Sequence, residues 1–124
     1  MNIIIHNSSM IPIYEQLIEQ IKSKIINNEL TENDALPSVR TLAKELKISA
    51  LTVKKAYDIL EEEGFTVTVH GKGTYVAKAN TGRILEEYKK EIEKELETTI
   101  HQAKVYGLEK SEIQDLFALI MEEW

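Results

Sequence analysis

The chain has 124 residues, a net charge of −6 and no cysteine. This length suits one ordinary domain or two small ones and leaves no room for a large catalytic domain. The lack of cysteine excludes disulfides and thiolate metal sites. No apolar run approaches the roughly 20 residues that cross a bilayer, and the first residues do not resemble a secretion signal. We therefore expect a cytoplasmic protein that is not associated with a membrane.

The first predicted element is an amphipathic helix that follows Pro12, a residue tolerated in a first helical turn. The helical pattern ends near Asn27 and Asn28, and a polar turn over 29–34 follows. The apolar positions with helical spacing are Tyr14, Leu17, Ile18, Ile21 and Ile25.

Two short helices joined by a tight turn come next. Ser38 and Ser49 are good N-caps, Lys47-Ile48 supplies the turn between the helices, and Gly64 is a strong stop signal. The predicted inward positions are Val39, Leu42, Ala43 and Leu46 in the first helix, and Val53, Ala56, Tyr57 and Leu60 in the second. This layout is typical of a helix-turn-helix.

A β-hairpin is predicted after the helices, because residues 65–69 and 74–77 alternate with period two around His70-Gly71-Lys72-Gly73. Two strands alone are marginal in water. We expect the hairpin to pack on the helices through Phe65, Val67 and Val69.

Charge is unevenly distributed along the chain. Residues 37–56 carry five basic side chains and one acidic one, whereas residues 81–124 carry six basic and eleven acidic ones. The overall acidity therefore belongs mostly to the C-terminal part, and the helix-turn-helix segment is basic enough to bind a polyanion.

The second helix of a helix-turn-helix lies in the major groove of double-stranded DNA. With its apolar stripe inward, Leu51, Lys55 and Asp58 point outward, and Ala50 and Lys54 flank them. Lysines can neutralise phosphates or reach guanine, and leucine can touch a thymine methyl. The hydroxyls that suit phosphate oxygens are those of Ser49 and Thr52.

The hairpin would serve as a wing beside this helix. Gly71 and Gly73 allow close approach of the backbone, while His70 and Lys72 can enter a minor groove or bind its phosphates. The alternative is a simple solvated glycine-lysine-glycine turn.

Several motifs in order resemble the winged-helix domain of GntR-type bacterial transcriptional regulators over about residues 10–78. The motifs are Pro12-Ile13-Tyr14, the run over 36–43, Thr52-Val53-Lys54-Lys55-Ala56-Tyr57, the run over 60–64, and Gly71-Lys72-Gly73-Thr74-Tyr75-Val76. The resemblance implies DNA contacts by Arg40, Ser49, Thr52, Lys54, His70 and Gly71.

The chain departs from the family pattern at two positions of the second helix. Many members carry an arginine at the position of Ala50 and a small polar residue at that of Leu51, and here both are apolar. We expect base reading to pass to Arg40, Leu51 and Lys55.

A linker is predicted at Asn80-Thr81-Gly82, followed by a long helix and a short apolar one. The apolar positions form a seam that cannot bury itself alone. They are Leu85, Tyr88, Ile92, Leu96 and Ile100 in the long helix, and Phe117, Ile120 and Trp124 at the end. A short two-helix tail resembles the YtrA branch of the family, whose tails dimerise and whose members are often associated with transporter operons. The alternative is a tail that folds back onto its own head.

The prediction is a mainly α fold with a small β-hairpin: a winged helix-turn-helix over 1–78 and a helical dimerisation tail over 79–124. The expected function is sequence-specific regulation of transcription, as a homodimeric repressor on an inverted-repeat operator. The rival is a winged-helix protein-interaction module without specific DNA binding, which Ala50 and Leu51 favour.

No catalytic, metal or cofactor site is expected. The three histidines, His6, His70 and His101, have no cysteines beside them and form no helical His-x-x-x-His pair. No nucleophile motif or phosphate-binding loop is present, and Gly71-Lys72-Gly73 lacks the strand-loop-helix context of one. The sequence does not identify a small-molecule effector, and no residues in it support an enzymatic function.

Overall fold

The computed structural model describes residues 1–78 and 81–124. They divide into two compact units, Met1–Thr81 and Gly82–Trp124. In chain order the elements of these residues are α1 (Ile13–Ile26), α2 (Val39–Leu46), α3 (Ala50–Glu62), β1 (Thr66–Val69), β2 (Gly73–Val76), α4 (Thr81–Val105) and α5 (Lys110–Glu122). The predicted mainly helical fold with one small hairpin is confirmed. Within the described ranges, no helix is both long and apolar enough to cross a bilayer.

The first unit has one hydrophobic core, formed by α1, α2, α3 and the hairpin. Tyr57 closes it on the α2 side, where its phenol donates a 2.7 Å hydrogen bond to the carbonyl of Pro37. Burial raises the pKa of the Tyr57 phenol above its ordinary range. The largest fully buried side chains are Leu17, Ile21, Leu42, Val53, Leu60 and Val76.

An N-terminal segment is fastened along α1 by two glutamine side chains. Gln20 accepts a hydrogen bond from the Ile4 N–H at 2.9 Å and donates one to the Ile4 carbonyl at 2.6 Å. The buried Gln16 amide forms the same pair of bonds with His6 and donates a third to the carbonyl of Ile11. The bonds of Gln16 satisfy part-buried backbone groups of His6 and Ile11, whereas those of Gln20 lie at an exposed site.

Both predicted N-caps of the helix-turn-helix are present. The Ser38 hydroxyl accepts the Thr41 N–H at 3.1 Å, and the Ser49 hydroxyl accepts the Thr52 N–H at 3.1 Å. Each cap satisfies a backbone donor that the first turn of a helix leaves free, which fixes where α2 and α3 begin.

The tight turn between α2 and α3 depends on Lys47, whose φ of 55° is left-handed. This conformation lets the Ile48 N–H bond to the Ala43 carbonyl at 3.0 Å. The bond satisfies a carbonyl at the end of α2, in the manner of the left-handed C-caps that glycine more often supplies. The turn was predicted at these residues.

The hairpin pairs Thr66 with Val76 and Val69 with Gly73. Phe65 is 2% exposed, as expected, but the prediction that Val67 and Val69 pack on the helices was wrong, since they are 44% and 40% exposed. Phe65 and Thr66 are both buried, so the alternation breaks where the strand begins. Residues opposite each other in an antiparallel pair share a face, and Thr66 with Val76 forms the buried one.

A short extended segment before α2 extends the hairpin on its other edge. The Asn33 N–H bonds to the Val76 carbonyl, the Val76 N–H to the Asp34 carbonyl, and the Leu36 N–H to the Thr74 carbonyl, each at 2.9 Å. The sequence pattern indicated only a polar turn here. Its pairing with β2 ties the base of the hairpin to the start of α2.

The second unit consists of α4 and α5. Of the predicted linker, Asn80 lies outside the described residues, whereas Thr81 and Gly82 are the first residues of α4. Gly107, with a φ of 88°, follows the end of α4 as predicted. The Glu109 N–H then bonds to the Glu112 carboxylate at 3.1 Å at the start of α5.

Candidate nucleic-acid interface

The starts of α2 and α3 carry matching pairs of hydroxyl side chains. Ser49 Oγ lies 2.7 Å from Thr52 Oγ1, and Ser38 Oγ lies 2.8 Å from Thr41 Oγ1. Helix N-termini attract anions because their backbone N–H groups and dipole point outward. The hydroxyls of Ser49 and Thr52 therefore lie where a phosphate oxygen would be favoured.

Leu51, in the first turn of α3, is 80% exposed although its side chain is apolar. It contributes little to the core of the first unit. A methyl-bearing side chain at the start of a recognition helix can contact a thymine methyl group.

Lys54 and Lys55 are both exposed, but different neighbours hold them. Lys54 Nζ forms an ion pair with Asp58 Oδ2 at 2.9 Å, and these side chains are 62% and 59% exposed. Lys55 Nζ lies 3.9 Å from the centroid of the Tyr14 ring, in the first turn of α1. The two ammonium groups therefore lie on different sides of α3.

Tyr14 is the neighbour that the sequence did not reveal. Its phenol donates a 3.2 Å hydrogen bond to the Glu15 carboxylate. That bond and the negative charge of Glu15 raise the pKa of the Tyr14 phenol. No signal within the sequence pairs Tyr14 with Lys55, because α2 separates the two helices along the chain.

Arg40 is the second residue of α2 and is exposed, one residue before the capped Thr41. Lys44 and Lys47 are also exposed on α2 and its turn. With Lys54 and Lys55, all five basic side chains of residues 37–56 are therefore exposed, against the one acidic side chain of that range, Glu45.

The predicted wing tip, His70, Gly71 and Lys72, is exposed throughout. The Lys72 N–H bonds to the Val69 carbonyl at 2.9 Å, and Gly71 has a φ of 77° that glycine adopts without strain. The Tyr75 phenol donates to the Lys72 carbonyl at 3.3 Å. These bonds define the loop that carries the His70 and Lys72 side chains.

A carboxylate of α3 also contacts the wing. The Thr68 N–H donates to Glu61 Oε1 at 3.3 Å, which joins the last turn of α3 to β1. No pattern in the sequence indicates this contact. The contact sets the hairpin against the same helix that carries Lys54 and Lys55.

Comparison with known proteins assigns this arrangement to a family. The family model described as "Bacterial regulatory proteins, gntR family" matches residues 13–76, which include α1, α2, α3 and the hairpin. The chain belongs to the gntR family. Its predicted identity as a GntR-type, YtrA-like winged helix-turn-helix protein is confirmed.

Relatives of this GntR-family chain are transcriptional regulators. The HTH-type transcriptional repressor YtrA of Bacillus subtilis is 36% identical over 107 residues, which span 86% of this chain and 82% of the relative. A transcriptional regulator from Oenococcus oeni has a crystal structure with a TM-score of 0.70 and 31% identity, covering 94% of this chain and 97% of that one. The DNA-binding domain of AraR in complex with operator ORX1 has a TM-score of 0.55 and 28% identity, covering 62% of this chain and 96% of that one.

The tail of the GntR-family chain exposes most of its predicted seam. Leu85, Ile92, Leu96 and Ile100 of α4 are between 42% and 56% exposed, and Tyr88 is partly exposed. Phe117 and Ile120 of α5 are 52% and 70% exposed, and Trp124 beyond it is 98% exposed. Both helices therefore present apolar side chains to their surroundings.

Across the residues that the structure describes, no cluster of His, Asp or Glu side chains could hold a metal ion. The candidate contacts include ammonium, guanidinium, hydroxyl and backbone N–H donors, together with the His70 imidazole and the apolar Leu51 side chain. These are the groups that contact phosphate and base edges.

Proposed function

We propose that this chain is a sequence-specific DNA-binding repressor that acts as a homodimer on an inverted-repeat operator. The observation that carries the proposal is the start of α3, where Ser49, Leu51, Thr52, Lys54 and Lys55 are presented on a capped helix. A helix of this diameter fits the major groove, and its first turns reach the base edges.

The electrostatics support DNA as the partner. Basic side chains concentrate in residues 37–56, from the start of α2 to the middle of α3, whereas the tail is acidic. A basic surface binds DNA through release of counterions, so the affinity should depend on salt. A slope of about −0.9 in a double-logarithmic plot is expected for each phosphate contacted.

A homodimer is supported by the exposed apolar side chains of α4 and α5. A second copy would cover Leu96 and Phe117, which are 42% and 52% exposed in the single chain. Two heads joined in this way would bind two half-sites, and the second contact would become intramolecular. Sedimentation should show a dimer, and Leu96→Lys or Phe117→Lys should shift it to monomer, whereas His101→Lys on the exposed surface of α4 should not.

Repression is supported by the named function of the Bacillus subtilis relative YtrA. Control of a transporter operon, which the YtrA resemblance implies, stays a prediction. Sequencing the DNA that the protein occupies in cells tests it directly.

The decisive experiment is selection of bound sequences from a random duplex pool, followed by binding assays on the selected site. An inverted repeat should emerge. Arg40→Ala and Lys54→Ala should each weaken binding without unfolding the protein, whereas Lys104→Ala in the tail, which removes the same charge, should not. Unchanged affinity for both head variants would contradict the assignment of α2 and α3 as the interface.

A protein-interaction module is the competing function, favoured by the exposed apolar Leu51. Fluorescence anisotropy with random duplex separates the two. A DNA-binding head should bind nonspecific duplex with a Kd of about 10⁻⁴ to 10⁻⁶ M near physiological salt. Absence of binding even at low salt would favour the interaction module.

A further inference from the structure

Lys55 is held by an aromatic ring rather than by a carboxylate. Its Nζ lies 3.9 Å from the centroid of the Tyr14 ring, which belongs to α1 and not to the helix-turn-helix. Within residues 1–78, no carboxylate lies at ion-pair distance from Lys55, whereas the adjacent Lys54 is paired with Asp58 at 2.9 Å. The ring contact therefore decides where the Lys55 ammonium lies.

An aromatic ring face and a carboxylate differ in whether the ammonium that they contact can still bind another anion. A carboxylate neutralises the ammonium and competes with any other anion, but an aromatic face takes up no N–H donor by a conventional hydrogen bond. A lysine that binds an anion loses much side-chain freedom, and a ring that holds it beforehand reduces that loss. At an exposed site such a contact changes an equilibrium constant by about two- to fivefold.

We propose that Tyr14 is a positioning residue for DNA binding, which holds the Lys55 ammonium in place to contact a phosphate of the DNA backbone. Phosphate, in place of the base reading expected of Lys55 from the sequence, is favoured because Tyr14 draws the ammonium away from the axis of α3 and toward α1. The rim of the groove, where phosphates run, lies to the side of a helix inserted in it. This inference rests on the proposed DNA-binding function and adds to it a residue outside α2, α3 and the wing.

The test is a double-mutant cycle with the full-length chain and a fluorescent random-sequence duplex at low salt. Lys55→Met should weaken binding and reduce the steepness of the salt slope by about 0.9, the share of one phosphate. Tyr14→Leu should weaken binding about two- to fivefold with the slope unchanged. Adding Tyr14→Leu to Lys55→Met should have no further effect.

Tyr14→Phe is the matched control, because it keeps the ring and removes only the bond to Glu15. It should bind duplex as the wild type does. The ε-methylene protons of Lys55 should show an upfield ring-current shift in NMR spectra of the wild type and of Tyr14→Phe, and should lose it in Tyr14→Leu. Thermal unfolding checks that each variant is folded, and Tyr14→Gln replaces Tyr14→Leu in the cycle if leucine prevents folding.

Equal weakening by Tyr14→Leu with and without Lys55 would overturn the inference, because Tyr14 would then act on DNA or on the fold by itself. Unchanged or tighter binding by Tyr14→Leu would overturn it as well. If the wild type does not bind duplex at low salt, the proposed function fails together with this inference. If the wild type binds but the cycle shows no coupling, only the inference about Tyr14 fails.

Discussion

Replacing Asp58 with asparagine should strengthen DNA binding, although Asp58 itself is not expected to touch DNA favourably. Its carboxylate holds Lys54 Nζ at 2.9 Å, and the ammonium must leave it to contact a phosphate. An exposed pair of this spacing on a helix contributes about 0.3–0.5 kcal/mol. The carboxylate also repels a phosphate at roughly 8 Å by about 0.5 kcal/mol in water.

The two effects together amount to about 0.8–1 kcal/mol, which corresponds to about four- to fivefold tighter binding at low salt. The assay is fluorescence anisotropy with a random-sequence duplex. Asp115→Asn in α5 is the matched control, because it changes the net charge equally and should leave the affinity nearly unchanged. In a Lys54→Met background, Asp58→Asn should tighten binding only by the part of the gain that comes from removing the repulsion between the carboxylate and the phosphate.

Unchanged or weaker binding by Asp58→Asn would refute this reasoning. It would mean that Lys54 does not exchange Asp58 for phosphate, and that α3 faces the DNA with a different side. A gain of the same size from Asp115→Asn would also refute it, since the effect would then reflect total charge alone.

Three further predictions concern the fold that supports this surface. Thr66 Oγ1 is buried without a hydrogen-bond partner among the described residues, so Thr66→Val should raise the free energy of unfolding by about 1 kcal/mol in urea titrations. A lower free energy of unfolding in Thr66→Val would indicate that the hydroxyl is hydrogen-bonded. Burial raises the pKa of Tyr57, so the unfolded chain ionises at a lower pH than the folded one. The contribution of Tyr57 to the free energy of unfolding should be constant below pH 10 and should fall above it by about 1.4 kcal/mol per pH unit. This pH dependence should be missing in denaturation curves of Tyr57→Phe. Gly71 has a φ of 77°, and no atom lies within 4 Å of the position that a Cβ would take there, so the cost of a side chain is conformational and not steric. Gly71→Val should cost about 1–2 kcal/mol of stability and weaken duplex binding in anisotropy assays, whereas Gly71→Asn should cost less.

Features set by local interactions could be predicted from the sequence. Ser38 and Ser49 cap helices because their hydroxyls reach backbone donors within three residues, and Gly64 and Gly107 adopt positive φ where helices end. The hydrophobic stripe of α3 was likewise predicted, since Val53 and Leu60 repeat at helical spacing and are fully buried. The locations of the candidate contact residues on α2, α3 and the hairpin follow from these elements.

Features that depend on contacts between distant segments could not be predicted. Val67 and Val69 fit an alternating strand, but the hairpin turns its Thr66 and Val76 face inward, which the alternation of one strand does not specify. The contact between Lys55 and Tyr14 joins residues of different helices, and no spacing rule relates them. The extended segment at 33–36 is too short to show alternation, so its pairing with β2 could not be predicted.

The hydroxyl pairs at the starts of α2 and α3 limit how many hydroxyl protons each helix can donate to an anion. Ser38 with Thr41, and Ser49 with Thr52, have two hydroxyl protons per pair, and one of them is used within the pair at 2.8 Å and 2.7 Å. One O–H per helix is left to donate outward. When one hydroxyl of a pair is removed, the other keeps one proton and has no partner within the pair, so a single substitution conserves the number of outward hydroxyl donors, and only the loss of both leaves none.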